Sequence, residues 1–144
     1  MTVSIGGVFP VLPTIFTAAG DIDEDGLASV IDYAIDRGVD GVVFPGLASE
    51  YDMLTLDERE AMIGFVGSRV AGRAHFVVGA SGTGLAESTR LASAGPKAGA
   101  VAAMVMTPKS IGADTALLGA FYTALGAQAG LPLMLQNAPA PMGL

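Results

Sequence analysis

Short apolar runs of extended character alternate along this chain with stretches whose apolar residues return every third or fourth position. The extended runs are Val8 to Phe16, Gly41 to Phe44, His75 to Val78, Ala102 to Met106 and Leu133 to Gln136. Between the first two, Leu27, Val30, Ile31, Ala34 and Ile35 fall at i, i+3, i+4, i+7 and i+8, the spacing of one buried helical face, and Gly38 supplies a stop. The next interval opens on Thr55 and Glu58, the spacing of a capping box, and continues with the stripe Met62, Ile63, Val66 and Val70. A third helix is expected from about Leu85, with Pro96 interrupting it near its end. Leu117, Leu118, Phe121 and Leu125 predict a fourth. Successive units begin roughly 30 residues apart, the length of a βαβ unit, so the pattern predicts a parallel sheet with crossover helices. Periodicity alone leaves both an open doubly wound sheet and a closed barrel as solutions.

The residues from Thr115 to Leu135 carry no charge and reach the length of a membrane span. The helical stripe, followed by the breakers Gly130 and Pro132 and the short strand Leu133-Met134-Leu135, instead predicts a helix with one buried face and then a strand. No linker, low-complexity tract or second domain divides the chain, so residues 1–144 read as part of one domain. A composition of 51% hydrophobic and 15% charged residues suits strands buried on both faces and excludes a disordered chain. The net charge of -7 argues against nucleic acid and against a polybasic membrane patch as partners. With no cysteine there is neither a disulfide nor a thiolate metal site, which fits a reducing cytosol. Met1 to Ile5 lacks the basic start of a signal peptide. A cytoplasmic protein is the resulting expectation.

Three local patterns suggest chemistry. Asp21, Asp23, Asp25 and Gly26, with Asp32 closing the loop, fit the spacing of an EF-hand calcium site. The competing reading is an acidic first turn favoured by the helix dipole. Gly79-Ala80-Ser81-Gly82-Thr83-Gly84 lies between a strand and a helix, where a phosphate loop would lie, but position 87 is Glu rather than the third glycine. His75, the only histidine, opens a strand, at the end of a barrel away from catalysis, so a His-based triad or metal site finds little support.

The densest pattern is Gly46-Leu47-Ala48-Ser49-Glu50 followed by Leu54-Thr55 and Glu58-Arg59. It resembles the G-T-T-G-E…L-T-x-x-E-R signature of the dihydrodipicolinate synthase / N-acetylneuraminate lyase family. Further matches run from about Gly7 to Gly143. Thr14-Ile15-Phe16-Thr17 with Gly20-Asp21-Ile22-Asp23 is similar to T-P-F-x-x-D-G-x-I-D. Gly38-Val39-Asp40-Gly41, Thr107-Pro108, and Asn137-Ala138-Pro139 with Gly143 match G-V-D-G, T-P and Y-N-x-P…G.

The resemblance implies a (β/α)8 TIM barrel, of which this chain would cover about the first half, strands 1–5. It implies a Schiff-base lyase acting on pyruvate or a related 2-oxo acid without an external cofactor. The positions it assigns to substrate are Leu47, Ala48, Ser49, Glu50 and Asn137, with Gln136 at the family tyrosine. The departures are chemical. Leu47 and Ala48 replace hydroxyl residues, so only their backbone N–H groups remain to hold a carboxylate. Gln136 has no titratable proton. Lys109-Ser110 replaces an aromatic pair, and Pro141 stands where an arginine is often found. The family's Schiff-base lysine belongs to a sixth strand, while the lysines here are Lys97 and Lys109. Lys109, placed by the motif at the active-site face, becomes a nucleophile only if burial lowers its pKa. A half barrel also leaves sheet edges unpaired, which predicts self-association into a homo-oligomer.

Overall fold

The computed structural model describes residues 4–137. Four parallel strands, β1 (Gly41–Phe44), β2 (His75–Gly79), β3 (Ala102–Met106) and β4 (Leu133–Gln136), pair in the order β1-β2-β3-β4. The helix α1 (Glu24–Asp36) precedes β1, and α2 (Leu56–Val70), α3 (Leu85–Ala94) and α4 (Thr115–Ala129) form the crossovers. Gly41 pairs with His75, Gly79 with Met104, and Met106 with Gln136.

Two observations separate barrel from open sheet. Strand order never reverses, whereas a doubly wound sheet reverses at a switch point. All four helices also cover the same face. Leu27 and Ile31 of α1, Ile63 and Val66 of α2, Leu91 of α3, and Phe121 and Leu125 of α4 share one core with Val42, Phe44, Phe76, Val78, Ala103 and Val105. The alternate strand residues Val43, Val77, Ala102 and Met104 form a second, helix-free cluster with Phe9, Val11 and Met134. An inner layer of strand side chains and an outer ring of helices is the arrangement of a (β/α)8 barrel. The structure is the N-terminal half of that fold.

The expected first strand, Val8 to Phe16, is reduced to two isolated bridges, Val11 to Val43 and Phe16 to Ile22. Pro10 and Pro13 have no N–H to give to a ladder. The segment still runs beside β1: Val8 O accepts from Asp40 N at 3.1 Å, Pro10 O accepts from Val43 N at 3.0 Å, and Leu12 N donates to Val43 O at 3.0 Å. Beyond it, Thr17 N donates to Asp21 O and Asp23 N to Ile15 O, closing a small hairpin into α1.

Helix α4 begins at Thr115, where Asp114 accepts from Ala116 N and Leu117 N at 2.9 and 3.0 Å. Its buried face is Phe121, Leu125 and Ala129, so the expected stripe is displaced: Leu117 is 52% exposed. The uncharged stretch from 115 is thus a 15-residue helix followed by a sheet strand. Among the described residues no helix is long and apolar enough to cross a membrane.

The calcium-loop pattern is overturned by where its acids go. Asp23 is the N-cap of α1, accepting from Gly26 N at 2.8 Å. Asp32, the closing position, lies on the following helix and pairs with Arg69 and, at 2.8 Å, with Arg73. These two guanidiniums lower its carboxyl pKa from 3.8 to about 2. The acidic run is a helix start, as the dipole argument requires.

Candidate active site at the C-terminal ends of the strands

Because the strands are parallel, the segments following β1, β2, β3 and β4 all emerge at one end of the sheet, the end where barrel enzymes build their sites. The segment after β1 is the most constrained. A cis Phe44–Pro45 peptide leads to Gly46 and a single helical turn, Leu47–Ser49. Gly79 on β2 makes this path possible, since a Cβ there would run into the Pro45 carbonyl oxygen.

Ser49 pins the turn. Fully buried, its hydroxyl accepts from Gly46 N at 2.9 Å and donates to Leu12 O. Its carbonyl accepts from the buried Thr14 hydroxyl at 2.6 Å. Where the family signature has glycine, this chain has a serine whose hydroxyl closes two backbone groups, so Ser49 holds the loop rather than offering a free hydroxyl. Leu47 is half-buried and Ala48 exposed. Among the described residues, neither of their amide N–H groups has an acceptor, while Ser49 N and Glu50 N donate back to Gly46 O and Leu47 O. Two adjacent N–H groups at the head of a turn are the kind of donors that an anion nest uses.

Glu50 has left-handed backbone (φ 53, ψ 42), exposed to solvent, and its carboxylate meets no hydrogen-bond donor among the described residues. The contact that holds this side of the loop comes from α2. Arg59, in the first turns of α2, is 7% exposed. Its guanidinium covers the Tyr51 ring at 4.7 Å and donates through Nη2 to Ser81 O after β2. Burial lowers the Arg59 pKa and raises that of the Tyr51 phenol. The Ser81 hydroxyl in turn accepts from Met106 N at 2.9 Å, at the end of β3. Sequence reasoning noted Arg59 only as part of a motif. An arginine immediately after a capping box, four residues before Ile63 of the buried stripe, is the signal that could have found it.

The glycine-rich segment after β2 is not a phosphate cradle. Thr83 N donates to Glu87 at 2.8 Å, so the chain's own carboxylate occupies the helix start and lies where an anion would. That contact also lowers the Glu87 pKa. After β3, Tyr122 of α4 and Thr107 share a 3.0 Å hydroxyl contact that anchors the Thr107-Pro108 turn. Lys109 beyond it is exposed, without the desolvation a lysine nucleophile needs. Gln136 lies two residues beyond Met134 of the inner cluster, hence on the inner face, half-buried at the end of β4. Asn137 follows, exposed. Pro139, Pro141 and Gly143 of the motif lie outside the described residues. His75 lies at the opposite end of β2, its ring stacked on Phe9 at 6.4 Å.

This sheet, with its helices outside and the segments after its strands gathered at one end, is that of the (β/α)8 barrels. Residues 4–144 match the Dihydrodipicolinate synthetase family, and the chain belongs to that family. It is 35% identical over 137 residues to YagE of Escherichia coli (strain K12), whose name proposes a 2-dehydro-3-deoxy-D-gluconate aldolase. That match covers 95% of this chain and 45% of YagE. The crystal structure of YagE in complex with pyruvate superposes with a TM-score of 0.88 over 93% of this chain and 45% of that one. The 4-hydroxy-tetrahydrodipicolinate synthase of Acidothermus cellulolyticus is 35% identical over 138 residues, 96% of this chain and 45% of its own length. The N-acetylneuraminate lyase of Fusobacterium nucleatum, at 22% identity, shares the fold with a TM-score of 0.87 over 96% of this chain and 48% of its own. The chain thus spans about half the length of the relatives it matches.

Proposed function

We propose that this chain forms the N-terminal half of a Schiff-base lyase, an aldolase or dehydratase, acting on pyruvate or a related 2-oxo acid. The observation that carries the reading is the pair of unengaged amides, Leu47 N–H and Ala48 N–H, on a turn fixed by Ser49. They would hold the substrate carboxylate, taking over from the two hydroxyl residues of the family signature. Gln136, on the inner face, would orient the substrate or a water by hydrogen bonding, since it cannot shuttle a proton. Asn137 would flank it. The imine-forming lysine would come from chain beyond residue 144, with Lys109 a surface cation at the mouth. An imine is itself the electron sink, so no external cofactor is needed. The pyruvate complex of YagE supports this choice of substrate class.

Leu47→Pro tests the nest. Position 47 is the first residue of a helical turn after an extended Gly46, where proline fits; the N–H is lost together with the half-buried isobutyl group, and Leu47→Ala, which keeps the N–H, controls for the latter. One hydrogen bond to a charged group is worth about 1.5–3 kcal/mol, so pyruvate affinity of the full-length protein should fall by about tenfold or more. Unchanged affinity would remove the nest from the mechanism.

A second reading follows from Gln136 and Lys109. With no phenol at 136 and an exposed lysine at 109, the chain would belong to a non-catalytic relative that binds small carboxylates. Pyruvate binding without turnover or covalent adduct would decide for it.

A further inference from the structure

We infer that Arg59 is a positioning residue that ties the segments after β1 and β2 to each other and, through Ser81, to the end of β3, beside the proposed carboxylate nest. The inference deepens the 2-oxo-acid reading and rests on it for its effect on ligand, but the tie itself stands on contacts within the chain.

The loop carrying Leu47 and Ala48 is fixed on one side by Ser49, through Gly46 N and Leu12 O. On the other side, immediately after the left-handed Glu50, Tyr51 starts a second helical turn, Tyr51–Met53. The Arg59 guanidinium lies over the Tyr51 ring at 4.7 Å. The same guanidinium donates to Ser81 O, and the Ser81 hydroxyl accepts from Met106 N at 2.9 Å. One side chain on α2 thereby reaches the loop after β1 directly, the loop after β2 directly, and the end of β3 through Ser81. A planar cation that stacks with its face while donating from its edge can do this; a lysine ammonium cannot.

Burying a guanidinium is costly, and here the cost is not minimised: Arg59 Nε has no partner among the described residues, and neither has the buried Ser88 hydroxyl. Ser88 Oγ lies 3.1 Å from where a Cβ on Gly82 would stand, so it borders the turn whose Ser81 carbonyl Arg59 grips. A methionine would fill the same space without the desolvation cost. Only the arginine joins the two loops.

Hydrogen–deuterium exchange on the full-length, unliganded protein tests this without any ligand. In Arg59→Met, the hydrogen-bonded amides of Gly46, Ser49, Glu50, Met53 and Thr83, with that of Met106, should exchange about tenfold faster while the rest of β1 to β4 keeps its protection, because local opening is released without global unfolding. Tyr51→Leu should accelerate 46–53 alone. Tyr51→Phe, which keeps the ring face, should match the wild type. In titrations of the same variants, pyruvate affinity should fall about tenfold for Arg59→Met, the scale of one displaced charge-assisted hydrogen bond, and stay unchanged for Tyr51→Phe. Loop exchange unaltered in Arg59→Met, or acceleration spread evenly through the strands, would overturn the inference and make Arg59 an ordinary packing residue. A wild type that binds no 2-oxo acid would sink the functional reading, while the exchange pattern would still decide the role of Arg59.

Discussion

Replacing Ser49 with alanine removes one oxygen and leaves two buried backbone groups without partners. Gly46 N–H loses its acceptor at 2.9 Å, and Leu12 C=O loses its donor. Both residues are buried and Leu12 is 1% exposed, so solvent does not reach either group readily. An orphaned buried donor or acceptor costs about 1–3 kcal/mol. The two share one site and are not fully additive, so the loss should be about 2–4 kcal/mol. In the full-length barrel, about 250 residues or more, that lowers Tm by roughly 4–16 °C. Urea unfolding is the cleaner assay, with Cm falling and the m-value unchanged if the same surface is exposed. A loss below about 0.5 kcal/mol, the range of ordinary surface substitutions, would refute the reasoning. It would mean that the loop after β1 satisfies these groups without Ser49. Because the variant also frees one side of the nest, pyruvate affinity should weaken together with stability.

Three other outcomes follow from the same contacts. Asp32→Asn should flatten the acid limb of the stability curve: the native carboxyl pKa is depressed to about 2, so its contribution is full above 3.8 and lost as pH falls between those values, visible in pH-dependent melts. Gly79→Ala should destabilise the fold by about 3 kcal/mol or more in denaturant titrations, since the added Cβ has no room beside Pro45 and the backbone must shift. Residues 1–144 expressed alone should self-associate through the edge of β4 that pairs with no strand among the described residues, where Leu135 is 60% exposed; a cooperatively melting monomer in light scattering would count against this.

The sequence made the fold legible because its periodicity is strong where packing demands it. Thr55 and Glu58 form the predicted capping box, and Met62, Ile63, Val66 and Val70 are the buried face of α2. It was ambiguous where a local pattern had two physical causes. Asp32 sits at the calcium-loop spacing, but on a helix its partner is set by what lies across the interface, here Arg69 and Arg73. The stretch from Val8 has strand-like residues, yet Pro10 and Pro13 cannot sustain a ladder. Leu117 matches the helical period, yet it lies in the exposed first turn of α4, ahead of the buried face that begins at Phe121. In the proposed site, the places of Leu47, Ala48 and Gln136 at the strand ends were readable from motif and alternation. The roles of Ser49 and Arg59 were not, because their partners, Leu12, Tyr51 and Ser81, are brought to them only by the folded sheet.

The most direct test of the account is borohydride reduction of the full-length protein in the presence of pyruvate, read by intact and peptide mass spectrometry. The account predicts one reduced pyruvate per chain, attached to a lysine other than Lys97 and Lys109, with less adduct formed at limiting pyruvate in Leu47→Pro. No adduct with pyruvate or with a panel of other 2-oxo acids would contradict the Schiff-base reading, and an adduct on Lys109 would contradict the assignment of that residue to the surface.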